Sequence, residues 1–348
     1  MAATTQKKTR PQKNKDEALS VGIDLGTSRS AISVSNARRE MVESYVGWPK
    51  DFVAQKMLGR RVLFGAEALE HRLSLELVRP LAGGVIKEGT EKDEEAVREL
   101  VGHLIELVGR MPGQRIRAAV GVPAEALKVN RQAIKDAIGG FADKLIVVSE
   151  PFAVAYGLGA LDNAMVIDIG AGTVDFCIMH GTMPTEEDQK SLFTAGDFVD
   201  QQLYEMLCET YPESDFTLNL VRGFKEQYGF VGAARKKVVV DVPVKGRFMS
   251  HDITDELRRA CESIMPPIAE TVMDMIGRFD PQYQERVRSH IILAGGGSQI
   301  KGIEDYLEEA LREFAACRFR TVEDPLFGGA DGALELAMDM PQEYWADL

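Results

Sequence analysis

The sequence predicts an α/β protein made of two related domains, each a mixed sheet with flanking helices. Strand-like and helix-like stretches alternate through both halves of the chain, the pattern of sheets covered by helices. A short segment of the first half, Asp24-Leu25-Gly26-Thr27-Ser28, returns in the second in denser form as Asp168-Ile169-Gly170-Ala171-Gly172-Thr173-Val174-Asp175, each time after an apolar run. At 348 residues and 45% hydrophobic composition, the chain can fill two medium cores, and the repeated segment favours two over one.

Taken in order, residues 21–23 read as a strand that passes through the Gly26 turn into a hairpin over 30–35. The stretch 51–82 is mixed and broken by Gly59, Gly65 and Pro80, the mark of a small inserted subdomain. Residues 91–110 form an amphipathic helix with an acidic first turn, stopped by Pro112 and Gly113. A buried strand follows at 117–122, then a helix at 125–137 and a strand at 145–148. Glu150-Pro151 opens a helix running to about Gly159, with Pro151 where a missing N–H does no harm.

The second half restarts the alternation. Strands at 165–169 and 176–180 flank the second glycine turn, a helix covers 196–209, and 238–244 alternates as a strand. Residues 255–279 read as one long helix, kinked at Pro266-Pro267. A strand at 290–294 ends in Gly295-Gly296-Gly297-Ser298, and a helix follows at 303–314. The expected domains are 19–160, with 51–82 inserted, and 161–323, with 196–250 as its small subdomain.

Composition narrows the function. A net charge of −13 and a pI near 5.0 argue against a nucleic-acid binder. Residues 1–18 carry Lys7, Lys8, Arg10, Lys13 and Lys15 with no apolar periodicity, which predicts a disordered basic tail. That tail has neither the apolar stretch of a signal peptide nor the apolar face of a membrane-binding helix, and no run spans a bilayer. The expectation is a cytoplasmic protein without direct membrane insertion. Cys177, Cys208, Cys261 and Cys317 form no CxxC pair and read as reduced thiols, while the five dispersed histidines disfavour zinc.

The glycine turns carry the chemistry. Glycine lets backbone N–H groups approach an anion closely, and an acid beside such a turn holds a hydrated Mg²⁺ that meets the phosphate. One Asp-Gly pair alone is an ordinary hairpin turn. Two in matching context, the second bracketing Gly-Ala-Gly-Thr between Asp168 and Asp175, point to a nucleotide triphosphate clamped between two halves. Three consecutive glycines at 295–297 admit a flat adenine or ribose against bare backbone. Glu150 admits two roles, an acid favourable at a helix start or a group that orients the water attacking phosphate.

In this order the segments resemble the actin superfamily, over residues 20 to 338. Residues 22–30 resemble its first phosphate loop, 147–159 its first connecting helix and 167–176 its second phosphate loop. Residues 291–303 resemble its adenosine motif and 325–334 its second connecting segment. Within the superfamily, Ser149-Glu150-Pro151-Phe152, Lys225-Glu226-Gln227-Tyr228-Gly229-Phe230-Val231-Gly232, Tyr45-Val46-Gly47-Trp48-Pro49-Lys50-Asp51 and Pro341-Gln342-Glu343-Tyr344-Trp345 are similar to the bacterial actins that organise magnetosome chains.

The resemblance implies an actin-like (ribonuclease H-like) two-domain fold, four subdomains around a nucleotide cleft, with 324–348 returning to the first domain. It implies ATP/ADP and Mg²⁺ as ligands, Asp24 and Asp168 holding Mg²⁺ through water, and Glu150 as the hydrolytic acid. Gly26, Thr27 and Ser28 would contact phosphates from one side and Gly170, Ala171, Gly172 and Thr173 from the other. Gly196 would sit near the terminal phosphate, Lys225 at the ribose or adenine, and Gly295, Gly296, Gly297 and Ser298 at the adenosine. Arg222 departs from the family, many of whose members carry a glutamate there.

Three classes compete: a filament-forming ATPase, a sugar-kinase-like phosphotransferase and a chaperone ATPase domain. Short insertions leave little sequence for a sugar site, and the chain ends soon after the second connecting segment. Cell-shape actins of the MreB type and segregation actins of the ParM type are nearer rivals. The implied partners are further copies of the chain in a homopolymeric filament, together with magnetosome-associated proteins; the implied location is along the magnetosome chain.

Overall fold

The computed structural model describes residues 18–86, 91–111 and 113–347. The expected disordered tail falls, apart from Ala18, outside the described residues.

Two sheets organise the chain. The first has six strands in the order Ala346–Asp347, Lys144–Ser149, Ile116–Val122, Leu19–Leu25, Arg29–Val34 and Arg39–Glu43. The second has five, in the order Gln189–Leu192, Val174–His180, Asp162–Ile169, Ile291–Ala294 and Phe319–Thr321. The same motif builds both. A central apolar strand turns back into an antiparallel hairpin partner on one side and pairs in parallel with a later strand on the other. In the first sheet Asp24 is opposite Ala31 and Gly121; in the second Asp168 is opposite Asp175 and Ala294. The repeated sequence segment therefore marks repeated topology, with an aspartate at the same end of each central strand.

Smaller sheets extend each half. Val46–Pro49, Leu63–Phe64 and Leu75–Val78 form one, beginning ahead of residue 51, and Val239–Val244 pairs with Arg247–Asp252 in the other. The cores follow the sheets. One apolar cluster gathers Val21, Ile23, Ile32, Leu100, Leu104 and Val120, and a second gathers Ile167, Phe176, Leu203, Leu257, Ile268 and Leu293. A third, with Phe152, Val166, Ala333 and Trp345, takes residues from both halves and joins them in a hinge region, so called for its place between the two.

Two helices cross at that hinge, Glu150–Gly157 and Gly328–Asp339. A Cβ added to Gly157 would come within 2.7 Å of the Gly332 Cα, and one on Gly332 would fall on the Ala153 carbonyl. Only a glycine pair lets the two backbones meet so closely.

Two expected helices are divided. Residues 255–279 form Thr254–Glu262 and Met265–Arg278. Pro266 and Pro267 cannot donate to the preceding turn, so the helix stops and restarts with both prolines in its first turn. Residues 125–137 form Ala124–Val129 and Arg131–Ile138. The buried Asn130 between them accepts from the Ile86 N–H at 2.9 Å and donates to the Ile86 carbonyl at 3.0 Å. Satisfying that buried peptide group takes Asn130 out of helical geometry. The helix expected to reach residue 314 ends at Leu311.

Candidate active site

Between the two sheets lies a cavity of about 530 Å³, within the range of pockets that enclose small ligands. Asp24, Gly26, Thr27, Ser28 and Glu150 line it from the first half. Asp168, Gly170, Ala171, Gly172, Thr173, Gly196, Lys225, Gly295, Gly296 and Gly297 line it from the second. Of the residues expected from sequence, Ser298 alone does not line the cavity. It is buried, and its hydroxyl donates to the Gly295 carbonyl at 2.8 Å, closing the glycine turn.

The two glycine loops meet face to face. A Cβ on Gly172 would stand 2.5 Å from Thr27 Oγ1 and 2.8 Å from the Gly84 nitrogen. Gly84 belongs to the segment after Leu75–Val78, and a Cβ added to it would collide with the Thr173 methyl. No sequence motif points to Gly84.

Four carboxyl groups converge under the loops: Asp24, Glu150, Asp168 and Asp175. Asp175 is fully satisfied. Thr173 Oγ1 donates to it at 2.7 Å, the Ala124 N–H at 3.2 Å, and Ser191 Oγ as well. In the sequence Asp175 brackets a turn; in the structure it links the strand Val174–His180 to the first half. Asp24 Oδ1 and Glu150 Oε1 are buried without any partner. Burial raises Asp24 from its ordinary 3.8 to about 7, with a hydrogen bond from Glu150 opposing the rise. Burial also pushes Glu150 well above the carboxylate range, reinforced by the charges of Asp24, Asp168 and Asp175. Asp168 rises for the same reasons, burial first and then Asp24 and Asp175.

Buried carboxylates with orphaned oxygens and raised proton affinity are a site that lacks positive charge. A divalent cation fits that need. Among the described residues no three His, Cys, Asp or Glu side chains are grouped to enclose a metal by themselves. A Mg²⁺ ion would therefore complete its shell with water and phosphate oxygens, as this ion ordinarily does.

The rim is held by ion pairs. Arg29 of the first half meets Glu226 of the second at 2.7 Å. Arg222 donates to Asp200 at 2.9 Å, to Asp197 at 3.2 Å and to the Tyr45 hydroxyl at 3.0 Å. Lys225 pairs with Asp200 at 2.7 Å and donates to the Gly196 carbonyl at 2.8 Å. Its ammonium thus braces the Gly196 turn. Gln299 and Lys301, inside the stretch that resembles the adenosine motif, and Pro325 and Leu326, at the start of the second connecting segment, also line the cavity, although none of the four is an expected site residue. Among the described residues no helix is long and apolar enough to cross a membrane.

Residues 18–343 match the family described as MreB/Mbl protein. The chain is 39% identical over 330 residues to actin-like protein MamK of Paramagnetospirillum magneticum, covering 95% of each chain. It is 25% identical over 358 residues to the cell shape-determining protein MreB of Escherichia coli, covering 94% of this chain and 95% of that one. Among solved structures, a MamK double helical filament superposes with a TM-score of 0.90 at 38% identity, over 93% of this chain and all of that one. A non-polymerising MamK mutant bound to AMPPNP superposes with a TM-score of 0.73 at the same identity and coverage. The fold is therefore actin-like.

Proposed function

The chain belongs to the MreB/Mbl protein family of actin-like proteins, and from that premise we propose that it is a polymerising bacterial actin whose ATP hydrolysis drives filament turnover. The observation that carries the reading is the cleft itself: two glycine loops in contact above buried carboxylates with unpaired oxygens, in a chain similar over nearly its whole length to MamK. The filaments would organise magnetosome chains in the cytoplasm, with self-association and magnetosome-associated proteins as partners. Similarity to MreB is lower over a comparable length, which supports this role over cell shape.

The division of labour follows from placement. Gly26, Thr27 and Ser28 line one side of the cavity and Gly170, Ala171, Gly172 and Thr173 the other, and the two loops would contact phosphate oxygens from both sides. The Gly170 N–H is not available for this, since it donates to the Thr173 carbonyl at 2.9 Å. Asp24 and Asp168 would hold Mg²⁺ through water, and the ion, when bound, neutralises phosphate charge. Glu150 starts the hinge helix at the cavity floor, 6% exposed, where a raised proton affinity suits it to take a proton from an attacking water. Gly295, Gly296 and Gly297 would face the adenosine, with Lys225 beside it.

Glu150→Ala tests this assignment. The loops and metal acids remain, so binding and assembly in ATP should persist. Phosphate release should fall about 10²–10⁴-fold, and filaments should outlast those of the wild type in light scattering. Normal hydrolysis with normal disassembly would reduce Glu150 to a helix-start residue.

A further inference from the structure

We propose that Arg79 and Asp197 form a strut between the two phosphate-facing loops that sets the closed width of the cleft, making Arg79 a positioning residue for nucleotide retention and assembly. The inference rests on the nucleotide-cleft reading above.

Each partner is tied to a different loop. Arg79 Nε donates to the Thr27 carbonyl at 2.8 Å, in the first phosphate loop. The Asp197 N–H donates to the Ala171 carbonyl at 2.7 Å, and the neighbouring Gly196 N–H to the Gly170 carbonyl at 3.1 Å, in the second. Between them the guanidinium meets the carboxylate with two nitrogens, Nη1 to Oδ2 at 2.8 Å and Nη2 to Oδ1 at 3.1 Å. Such a fork fixes direction as well as distance. The path from one loop to the other is therefore tied by hydrogen bonds at both ends and by the fork between them.

A second arginine backs the first. Arg222 reaches Asp197 and Asp200 within its own half and the Tyr45 hydroxyl across the cleft. The Arg79 guanidinium lies 5.8 Å above the Tyr45 ring. Opening the cleft would separate Arg79 from Asp197 and Arg222 from Tyr45 together. Arg79 is 16% exposed and Arg222 18%, so these contacts are better shielded than an ordinary surface pair. Neither Arg79 nor Asp197 lines the cavity; they act on the nucleotide only through the loops they hold. The chain as a whole superposes better on the filament subunit than on the non-polymerising mutant.

The test uses the full chain with Arg79→Ala, Asp197→Asn, the double variant and Arg79→Lys. Two quantities are read: the dissociation rate of a fluorescent ATP analogue from protein kept below its assembly threshold, and that threshold in Mg-AMPPNP. Each of the first two substitutions should raise both by about 10- to 100-fold, the scale of lost charge-assisted hydrogen bonds. The double variant should fall well short of the combined effect of the singles, because both break the same Arg79–Asp197 link. Arg79→Lys should fall between, since an ammonium cannot make the fork. If Arg79→Ala fails to fold, Asp197→Asn and Arg79→Lys decide with the same readouts. Unchanged dissociation and threshold beside a functional wild type, or additive effects in the double variant, would overturn the strut. A wild type that neither binds the analogue nor assembles would instead overturn the nucleotide reading beneath it.

Discussion

Gly172→Ala should hold the cleft ajar. The new Cβ would lie 2.5 Å from Thr27 Oγ1, 2.8 Å from the Gly84 nitrogen and 3.0 Å from Thr27 Cγ2, where ordinary contact begins at 3.4 Å. Rotation of Thr27 can relieve its own side chain, but Gly84 presents backbone. The loops must then part by roughly 1 Å or the chain must strain, and overpacking of this kind costs about 1–3 kcal/mol. Gly172 does not have a left-handed φ, so alanine is compatible with the backbone and the effect is steric. Charged wholly to the closed state, that energy weakens nucleotide binding about 5- to 150-fold, and the AMPPNP concentration needed for assembly should rise in proportion. Competition binding and sedimentation across a protein titration measure both. Gly223→Ala is the control: it lies in the helix Leu218–Tyr228 with nothing within 4 Å of a new Cβ. It should leave binding unchanged and raise stability by about 0.5–1 kcal/mol. Wild-type affinity and threshold in Gly172→Ala would refute the reasoning that loop contact defines the working cleft.

Two further outcomes follow from the carboxylates. Asp168→Asn keeps the shape but removes a charge beside Asp24 and Asp175, so the Mg²⁺ concentration supporting half-maximal phosphate release should rise at least about tenfold; an unaltered Mg²⁺ titration would remove Asp168 from the metal. In the nucleotide-free protein, Asp24 is raised from 3.8 to about 7, with Glu150 and Asp168 also raised. The folded state then keeps protons that the unfolded chain has shed. Stability should be full below the ordinary carboxylate pKa and decline as pH climbs from about 4 towards 7. Mg-AMPPNP should flatten that decline. Thermal unfolding at several pH values, with and without Mg-AMPPNP, gives the slope, and stability rising over this interval without ligand would contradict the assignment.

Much of this was legible in the residues. The Asp24 and Asp168 segments disclosed both the duplicated topology and the floor of the cavity, because a glycine turn after an apolar strand is a local signal. Glu150-Pro151 gave away the hinge helix in the same manner. What escaped was non-local. Arg79 and Gly84 matter only through Thr27, Asp197 and Thr173, which lie far away in sequence. Asn130 breaks a helix because Ile86 needs two hydrogen bonds, a demand set by packing. Ser298 looked like part of a ligand loop, yet its hydroxyl serves its own turn. Pro266 and Pro267 marked the interruption at its true place; only its depth, a break instead of a kink, was misjudged.

The most direct test of a nucleotide-gated filament is sedimentation of the wild-type chain with Mg-ATP, with Mg-ADP and without nucleotide, the pellets imaged by electron microscopy. The account predicts filaments in the Mg-ATP pellet, with the other two samples staying largely in the supernatant at the same protein concentration. Equal sedimentation in all three, or a chain that remains in the supernatant with Mg-ATP at every concentration tried, would contradict it.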